Sequence, residues 1–456
     1  MPGALEGLKV LDFTTLLPGP YATMFLADMG ARVLRVVSGS RPDLVDFIPP
    51  LVPGIKLSAA SAQLGRNKRL IALNLKDPRA LKIVHQLAAD YDIVIEQFRP
   101  GVMAKFKLDY ESLKTVNPAV IYCSLTGYGQ TGPMRDRAGH DINYIARSGV
   151  ASYSGRKETG PTLVGMQIAD VASGSNHAVI GILAAVIYRN ATGKGQHVDI
   201  SMTDGMIAFN AMFGAGFLVD GKDPDLEEML LNGGSLYDYY KTKDDKYISF
   251  GGLEPQFFTN FCNMVNRPDL IAGGVMPRDM GKVKQEIRDI FLTRTRDEWT
   301  ALFNATDACG EPVMTLTEVF SDSLGPGERH ARGASSSRRR KSEADRKPHH
   351  IFGNEAGIQE HRRECRDRTY EGCPARTRLQ GQRDRGIRKD RAVQLKNLSC
   401  AGEGPLPPLF LSTAASRCDR LIFRLNPMMP SGSGGFPRGH PLFFMVFKGT
   451  LFYVLE

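Results

Sequence analysis

One histidine and one isolated acid stand out for their surroundings. Residues 123–176 read CSLTGYGQTGPMRDRAGHDINYIARSGVASYSGRKETGPTLVGMQIADVASGSN, which sets His140 and Asp170 among glycines and small polar residues. Glycines let backbone approach a ligand closely, and small side chains leave room for one. An imidazole and a carboxylate facing one carbon from opposite sides can remove a proton and return another. A downstream acid, Glu254 in FGGLEPQFF, is the natural third member. The plainer alternative is a loop histidine and an aspartate that caps a helix, since spacing alone does not bring side chains together. A second group is basic: Gly65-Arg66-Asn67-Lys68-Arg69 precedes the strand LIALNL. It reads either as a solvated turn or as a phosphate clamp, because Arg and Lys offer charge-assisted donors.

The elements that must position these groups alternate regularly. LKVLDF at 8–13 reads as a buried strand, followed by a turn through Leu17-Pro18-Gly19-Pro20 and a helix over Tyr21–Met29. Pro20 suits the first helical position and Gly30 the cap, and Ala31–Val37 is the next strand. A strand–helix–strand unit favours a parallel sheet with right-handed crossovers. The turn lacks GxGxxG, so no dinucleotide fold is assigned, but ligands in such sheets gather at the carboxyl ends of strands. After a Pro-rich loop at 43–65, Asp77–Ala89 reads as a helix with Asp77 as cap and Pro78 at its first position. Tyr91–Glu96, Leu108–Val116 and Val120–Ser124 follow as strand, helix and strand, which makes the class α/β. The apolar stretch Ile168–Tyr188 reads as a buried helix starting near Asp170. The positive end of its dipole would favour a carboxylate or a developing enolate. His197 in the strand HVDIS reads as structural. Residues 205–322 form a second unit: helices over Gly205–Leu218, Pro255–Val265, Lys282–Arg294 and Arg296–Asn304 surround a hairpin at YDYYKTKDDKYISFGG, and Trp299 belongs to the core.

The 456 residues carry a formal charge of +9, but unevenly. Residues 1–322 hold 33 Lys+Arg against 36 Asp+Glu, and the remaining residues hold 25 against 13. The part that carries the candidate chemistry therefore has no electrostatic footprint for nucleic acid, and no nucleic-acid partner is expected. Seven scattered cysteines show neither CxxC nor metal-ligand spacing, which points to a reduced, intracellular compartment and to no metal. MPGALEGLKV lacks the features of a secretory signal, and no run approaches the roughly 20 apolar residues of a membrane span, so no stable membrane insertion is expected. After Asp322 the pattern changes: SSSRRRKSEADRK and HRRECRDR show no period, and PLFFMVFKGTLFYVLE turns abruptly apolar. Residues 323–456 read as an aberrant, irregular or disordered tail, with the signature of a shifted reading frame or a retained intron.

Taken in order, LPGP with LADMGARVLRV, then LGRNKR, LTGYGQTGP, AGHDINY, ADVASGSN, TGKGQHVDISM, LEPQFF and TDACGEPVMTLTEV resemble the class III CoA-transferase (CaiB/BaiF-like) family. The resemblance covers roughly residues 5–322, and GHDINY and EPQFF favour its racemase branch. It implies a Rossmann-like large domain (1–200), a smaller α+β domain (201–322) and an intertwined homodimer, with the site between the large domain of one subunit and the small domain of the other. By position it makes His140 and Asp170 the two bases and Glu254 the acid that pairs with the histidine. It places CoA contacts on Leu73, Asn74, Leu75 and Lys76 and on Gly139, Asp141, Ile142, Asn143 and Tyr144, with the basic residues Arg35, Arg66, Lys68 and Arg69 as phosphate partners. Where the family has an arginine just after the second strand this chain has Ser38, and Arg41 is the residue that could take its place.

The expected reaction is racemisation of 2-methylacyl-CoA thioesters through an enolate, a step in fatty acid and lipid metabolism. CoA is part of the substrate, and no other cofactor is called for. Two alternatives stand beside it. Asp170 could attack the thioester and carry the acyl group covalently, as in CoA transfer between acids, or the chain could be an inactive product of its aberrant C-terminus. The resemblance suggests a peroxisome or mitochondrion. Val454-Leu455-Glu456 is not a peroxisomal address, which otherwise leaves the cytoplasm.

Overall fold

A computed structural model describes residues 3–321, except Ser40, Ile55 and Lys56, and the backbone of four short strands beyond them. Those four strands aside, the expectations for 323–456 lie outside the described residues. The described chain groups into two compact units. One takes the residues up to Tyr144, Gln167–Ala208 and the short strands beyond residue 343, and the other takes Ile145–Met166 and the described residues from Phe209 to Ser321.

Six parallel strands organise the first unit: β1 (Lys9–Asp12), β2 (Arg32–Val37), β3 (Lys68–Leu73), β4 (Ile93–Glu96), β5 (Ile121–Thr126) and β6 (His197–Ser201). Their spatial order is β3-β2-β1-β4-β5-β6, and a two-residue strand, Val393–Gln394, runs antiparallel beside β3. The order reverses between β1 and β4, which is where a doubly wound sheet opens a crevice at its carboxyl edge. The strands are apolar on both faces because helices cover both. Leu11, Leu73, Val94 and Tyr122 pack with Ala80, Val84 and Ala88 of α3 (Pro78–Asp90), Met103 of α4 (Val102–Lys105) and Leu113 of α5 (Tyr110–Leu113). The opposite face meets α7 (His177–Thr192), where Gly181 lies against Val198 and Ile200 of β6.

Local chemistry sets the ends of these helices. α1 covers Pro18–Asp28, three residues earlier than Tyr21, because Pro18 and Pro20 both fall in the first turn, where no N–H is needed. Gly30 closes it at φ +105°, a left-handed conformation that only glycine adopts cheaply. Asp77 caps α3 by accepting the Arg79 N–H, with Pro78 at the first position. Within the expected loop at 43–65, Ser58 caps a short α2 (Ala59–Leu64) by accepting the Ser61 N–H.

The expected buried helix after Asp170 is buried on one face only: Ile180 and Ile187 are 62% and 71% exposed. Among the described residues, Ala169–Thr192 is one helical stretch long and apolar enough to cross a membrane, and the bent pair formed by α8 (Met202–Ala208) and α9 (Phe213–Asp220) is a second candidate.

In the second unit an antiparallel sheet of β7 (Asp238–Lys241), β8 (Tyr247–Phe250) and β9 (Gly310–Pro312) packs against α10 (Pro255–Met264), α11 (Met280–Phe291) and α12 (Arg296–Asn304). The hairpin stands where the sequence placed it. Trp299 is core, and its indole N–H donates to the Phe291 carbonyl at 2.8 Å. Thr295 and Glu298 form a capping box at the start of α12.

Candidate active site

Asp170 lies in the first turn of a π-helical segment, Ala169–Asn176, that runs directly into α7. Such wide turns are rare and collect at functional sites. The small residues of ADVASGSN are what permit it. The Ser175 hydroxyl donates to the Pro18 carbonyl at 2.6 Å, and the Ser173 hydroxyl donates to the Met202 carbonyl at 2.6 Å. A Cβ on Gly205 would stand 2.2 Å from the Ser173 oxygen, so α8 approaches as closely as a glycine allows. The segment is thus wedged between α8 and the Leu17–Pro20 turn. That turn is itself pinned near the β1/β4 reversal, where the Gln97 side-chain oxygen accepts the Gly19 N–H at 3.0 Å.

His140 ends a glycine-rich loop that follows β5. Tyr144 of α6 (Asp141–Arg147) is buried and holds that loop: its hydroxyl donates to the Gly139 carbonyl at 2.6 Å. Its ring fills the space where a Cβ on Gly127 or Gly139 would come within 2.4 or 2.6 Å. The His140 N–H donates to Asn143 Oδ1 at 3.0 Å, and its carbonyl accepts the Asn143 N–H at 2.8 Å. These bonds fix the backbone of the histidine while its residue stays exposed. Thr203 of α8 donates through both its hydroxyl and its N–H to the Gly127 carbonyl, at 2.7 and 3.0 Å. The supports of His140 and of Asp170 therefore meet on one helix.

Asp141, the residue after His140, joins the two directly: its Oδ1 accepts the Asp170 N–H at 3.0 Å. Asp170 is therefore not the cap; its own backbone is capped. Its carboxyl is raised from an ordinary 3.8 to about 7, chiefly by burial and secondly by the charge of Asp141. A helix N-terminus pulls the other way by only ~0.3–1 kcal/mol, so burial wins. At neutral pH this carboxyl divides between acid and base. Burial and the nearby Asp170 charge also push the Tyr144 phenol well above its usual value, so it stays a hydrogen-bond donor.

Glu254 belongs to the second unit. It is exposed at the N-cap of α10, with Pro255 following and no side-chain capping bond.

The basic cluster is neither a solvated turn nor, as a whole, a surface clamp. Arg66 is fully buried and grips Asp28, with Nε 3.0 Å from Oδ1 and Nη2 2.5 Å from Oδ2. Lys68 is buried too; its ammonium donates to the Pro20 carbonyl and the Thr23 hydroxyl, both at 2.7 Å, with Asp12 Oδ2 3.6 Å away. Burial pulls the Lys68 ammonium down to about 7, against the opposing charge of Asp12. Arg35 is buried beside Asp43 at 2.6 Å. The donors of these three are committed within the unit, so they support α1 and its turn. Strand alternation explains the split: Lys68 and Arg69 point to opposite faces of β3, and only Arg69 is exposed. At the carboxyl end of β3, Leu73 is buried, Asn74 and Lys76 are exposed and Leu75 is half-buried, with Asn74 Oδ1 accepting the Lys76 N–H at 3.1 Å. On the loop that holds His140, Gly139 and Asp141 are half-buried, whereas Ile142 and Asn143 are exposed. Arg41 is exposed, and its N–H donates to the Ser38 hydroxyl at 3.1 Å.

Sequence reading missed the Asp12–Lys68 and Asp28–Arg66 pairs, because partners 38 residues or more apart leave no local signature. It also missed Asp141 as the link to Asp170. The available signal was an acid directly beside the candidate histidine.

A doubly wound sheet with a half-buried carboxyl, raised to about 7, on a wide helical turn above its crevice is the arrangement of an enzyme site. The chain belongs to CoA-transferase family III, whose family model matches residues 5–344. That family comprises racemases and transferases of CoA thioesters, and both kinds are similar to this chain. Human alpha-methylacyl-CoA racemase is 36% identical over 319 residues, covering 69% of this chain and 79% of that protein. Mouse succinyl-CoA:glutarate CoA-transferase is 35% identical over 325 residues, covering 70% and 74%. Among solved structures, a CaiB/BaiF family protein from Brucella suis matches with a TM-score of 0.65 at 27% identity, covering 80% of this chain and all of that one.

Proposed function

We propose that this chain racemises 2-methylacyl-CoA thioesters by two-base proton transfer. The observation that carries the reading is Asp170: a carboxyl raised to about 7 whose backbone is bonded to the residue next to His140. In one direction neutral His140 removes the α-proton from one face, leaving an enolate, and protonated Asp170 delivers a proton to the other face. In the reverse direction the roles exchange. One proton shared by the pair is the active state, so the rate falls when both groups are protonated and when both are bare. Glu254 is the acid we assign to orient His140. We further propose a homodimer as the working form, because α9 (FGAGFLVD) buries none of its residues, with Leu218 and Val219 72% and 88% exposed.

The second reading, CoA transfer through an Asp170 acyl anhydride, draws on the comparable likeness of the transferases. The test is α-proton exchange of a 2-methylacyl-CoA in heavy water, followed by NMR without an acceptor acid. Wild type should exchange and scramble the α-centre. Asp170→Asn and His140→Ala should each lose racemisation by about 10²–10⁴-fold while keeping exchange of one enantiomer. No exchange from folded protein without an acceptor acid, with turnover restored by one, would establish the transferase instead.

A further inference from the structure

On the face of the sheet away from α7, a cavity of about 200 Å³ opens between β4, β5, β6 and the α4–α5 segment. Val198 and Ile200 face α7, so the alternating His197 and Asp199 face the other way, with Tyr122 and Ser124 paired beside them in register. The cavity is separate from the Asp170 site and plays no part in the proposed reaction.

Its lining is built for a polar guest. Tyr122 is 2% exposed, lines the cavity, and its hydroxyl has no hydrogen-bond partner among the described residues. The side-chain nitrogen of Gln130 is likewise buried and without a partner among the described residues, while its backbone N–H is held by Asp199 Oδ2 at 3.1 Å. An orphaned buried donor costs about 1–3 kcal/mol, so two in one cavity mark a site made to be filled. The remaining polar groups are spoken for. Ser124 Oγ stands 3.0 Å from His197 Nε2 and is bonded to Glu96, and the Glu96 carboxylate also accepts the Phe98 N–H at 2.8 Å. Tyr110 stacks on His197. Asp109 accepts the Ser112 hydroxyl, and Glu111 pairs with Lys114. At the mouth, Arg99 is exposed and has no ion pair among the described residues.

We propose that this cavity binds a small monocarboxylate, its oxygens held by the Tyr122 hydroxyl and the Gln130 amide inside and by Arg99 at the rim. At ~30 Å³ per water-sized group it takes roughly six or seven non-hydrogen atoms. Glu96 makes the site sensitive to pH. Burial, with a lesser push from Asp199, raises its carboxyl to about 7, against the bonds from Ser124 and Phe98. The other titratable or charged groups that line the cavity with it are Asp109, Glu111, Arg99, His197, Tyr110 and Tyr122. An anionic guest favours the protonated form, so binding takes up a proton and weakens as pH rises through about 7.

The test is calorimetric titration of the full chain with propionate at pH 6 and pH 8, with propionamide as the neutral match. Saturable binding of one propionate should be about tenfold weaker at pH 8, as the protonated fraction of a group near 7 falls. Glu96→Gln should remove that pH dependence, and Tyr122→Phe should weaken binding at pH 6 by about fivefold or more. Asp170→Asn should bind as wild type does. The proposal is overturned by the absence of saturable binding to cooperatively folded protein, or by propionamide binding as tightly as propionate. It is also overturned by a Tyr122→Phe variant of unchanged affinity, or by loss of binding in Asp170→Asn, which would put the acid in the Asp170 site.

Discussion

Replacing Asp170 with Asn should make the protein more stable and less active at the same time. The folded carboxyl keeps its proton up to about pH 7, whereas the unfolded one releases it near 3.8. Between those values the folded state binds more protons, so stability is lost as pH rises through that window. The full difference corresponds to ~4 kcal/mol. Asp170 is only partly shielded from solvent, and screening brings the expectation to about 2 kcal/mol. Asparagine keeps the shape and removes the charge. No side-chain hydrogen bond to the Asp170 carboxylate is present among the described residues, so the swap breaks none. Urea unfolding at one protein concentration should show the variant's stability advantage growing from under about 1 kcal/mol near pH 5 to about 2 kcal/mol at pH 8, while racemisation is lost. An equal difference at both pH values, or a variant destabilised at pH 8, would refute the argument that burial holds this carboxyl's proton.

Two further outcomes follow from the packing. Lys68→Met should destabilise by about 3 kcal/mol, because it leaves the Asp12 carboxylate buried without its cation, and adding Asp12→Asn should recover part of that loss in the same unfolding assay. Gly205→Ala should cost about 1–3 kcal/mol, since its Cβ would collide with Ser173, and should lower the rate of exchange more than it raises KM, because the segment that carries Asp170 would shift.

Much of this protein was legible along the chain because it is written locally. Strand and helix alternation, the prolines at the starts of α1 and α3, the Asp77 cap and Gly30 all act over a few residues, and each stands where the sequence put it or within a turn of it. The glycines around His140 were legible as close approach, and Tyr144 proves to be what approaches.

Tertiary structure decided the rest, and the reason is burial. From sequence, Arg66, Lys68 and Arg69 are one basic cluster; strand alternation and distant acids turn two of them inward and leave one outside. Asp170 and Glu96 are ordinary carboxylic acids on paper. Only the packing that strips water from them, with Asp141 beside one and Asp199 near the other, raises them to about 7. The sequence by itself determined the family, the sheet and which residues could do chemistry. Desolvation depends on every neighbour in space, so the protonation state in which they would do it belongs to the folded chain.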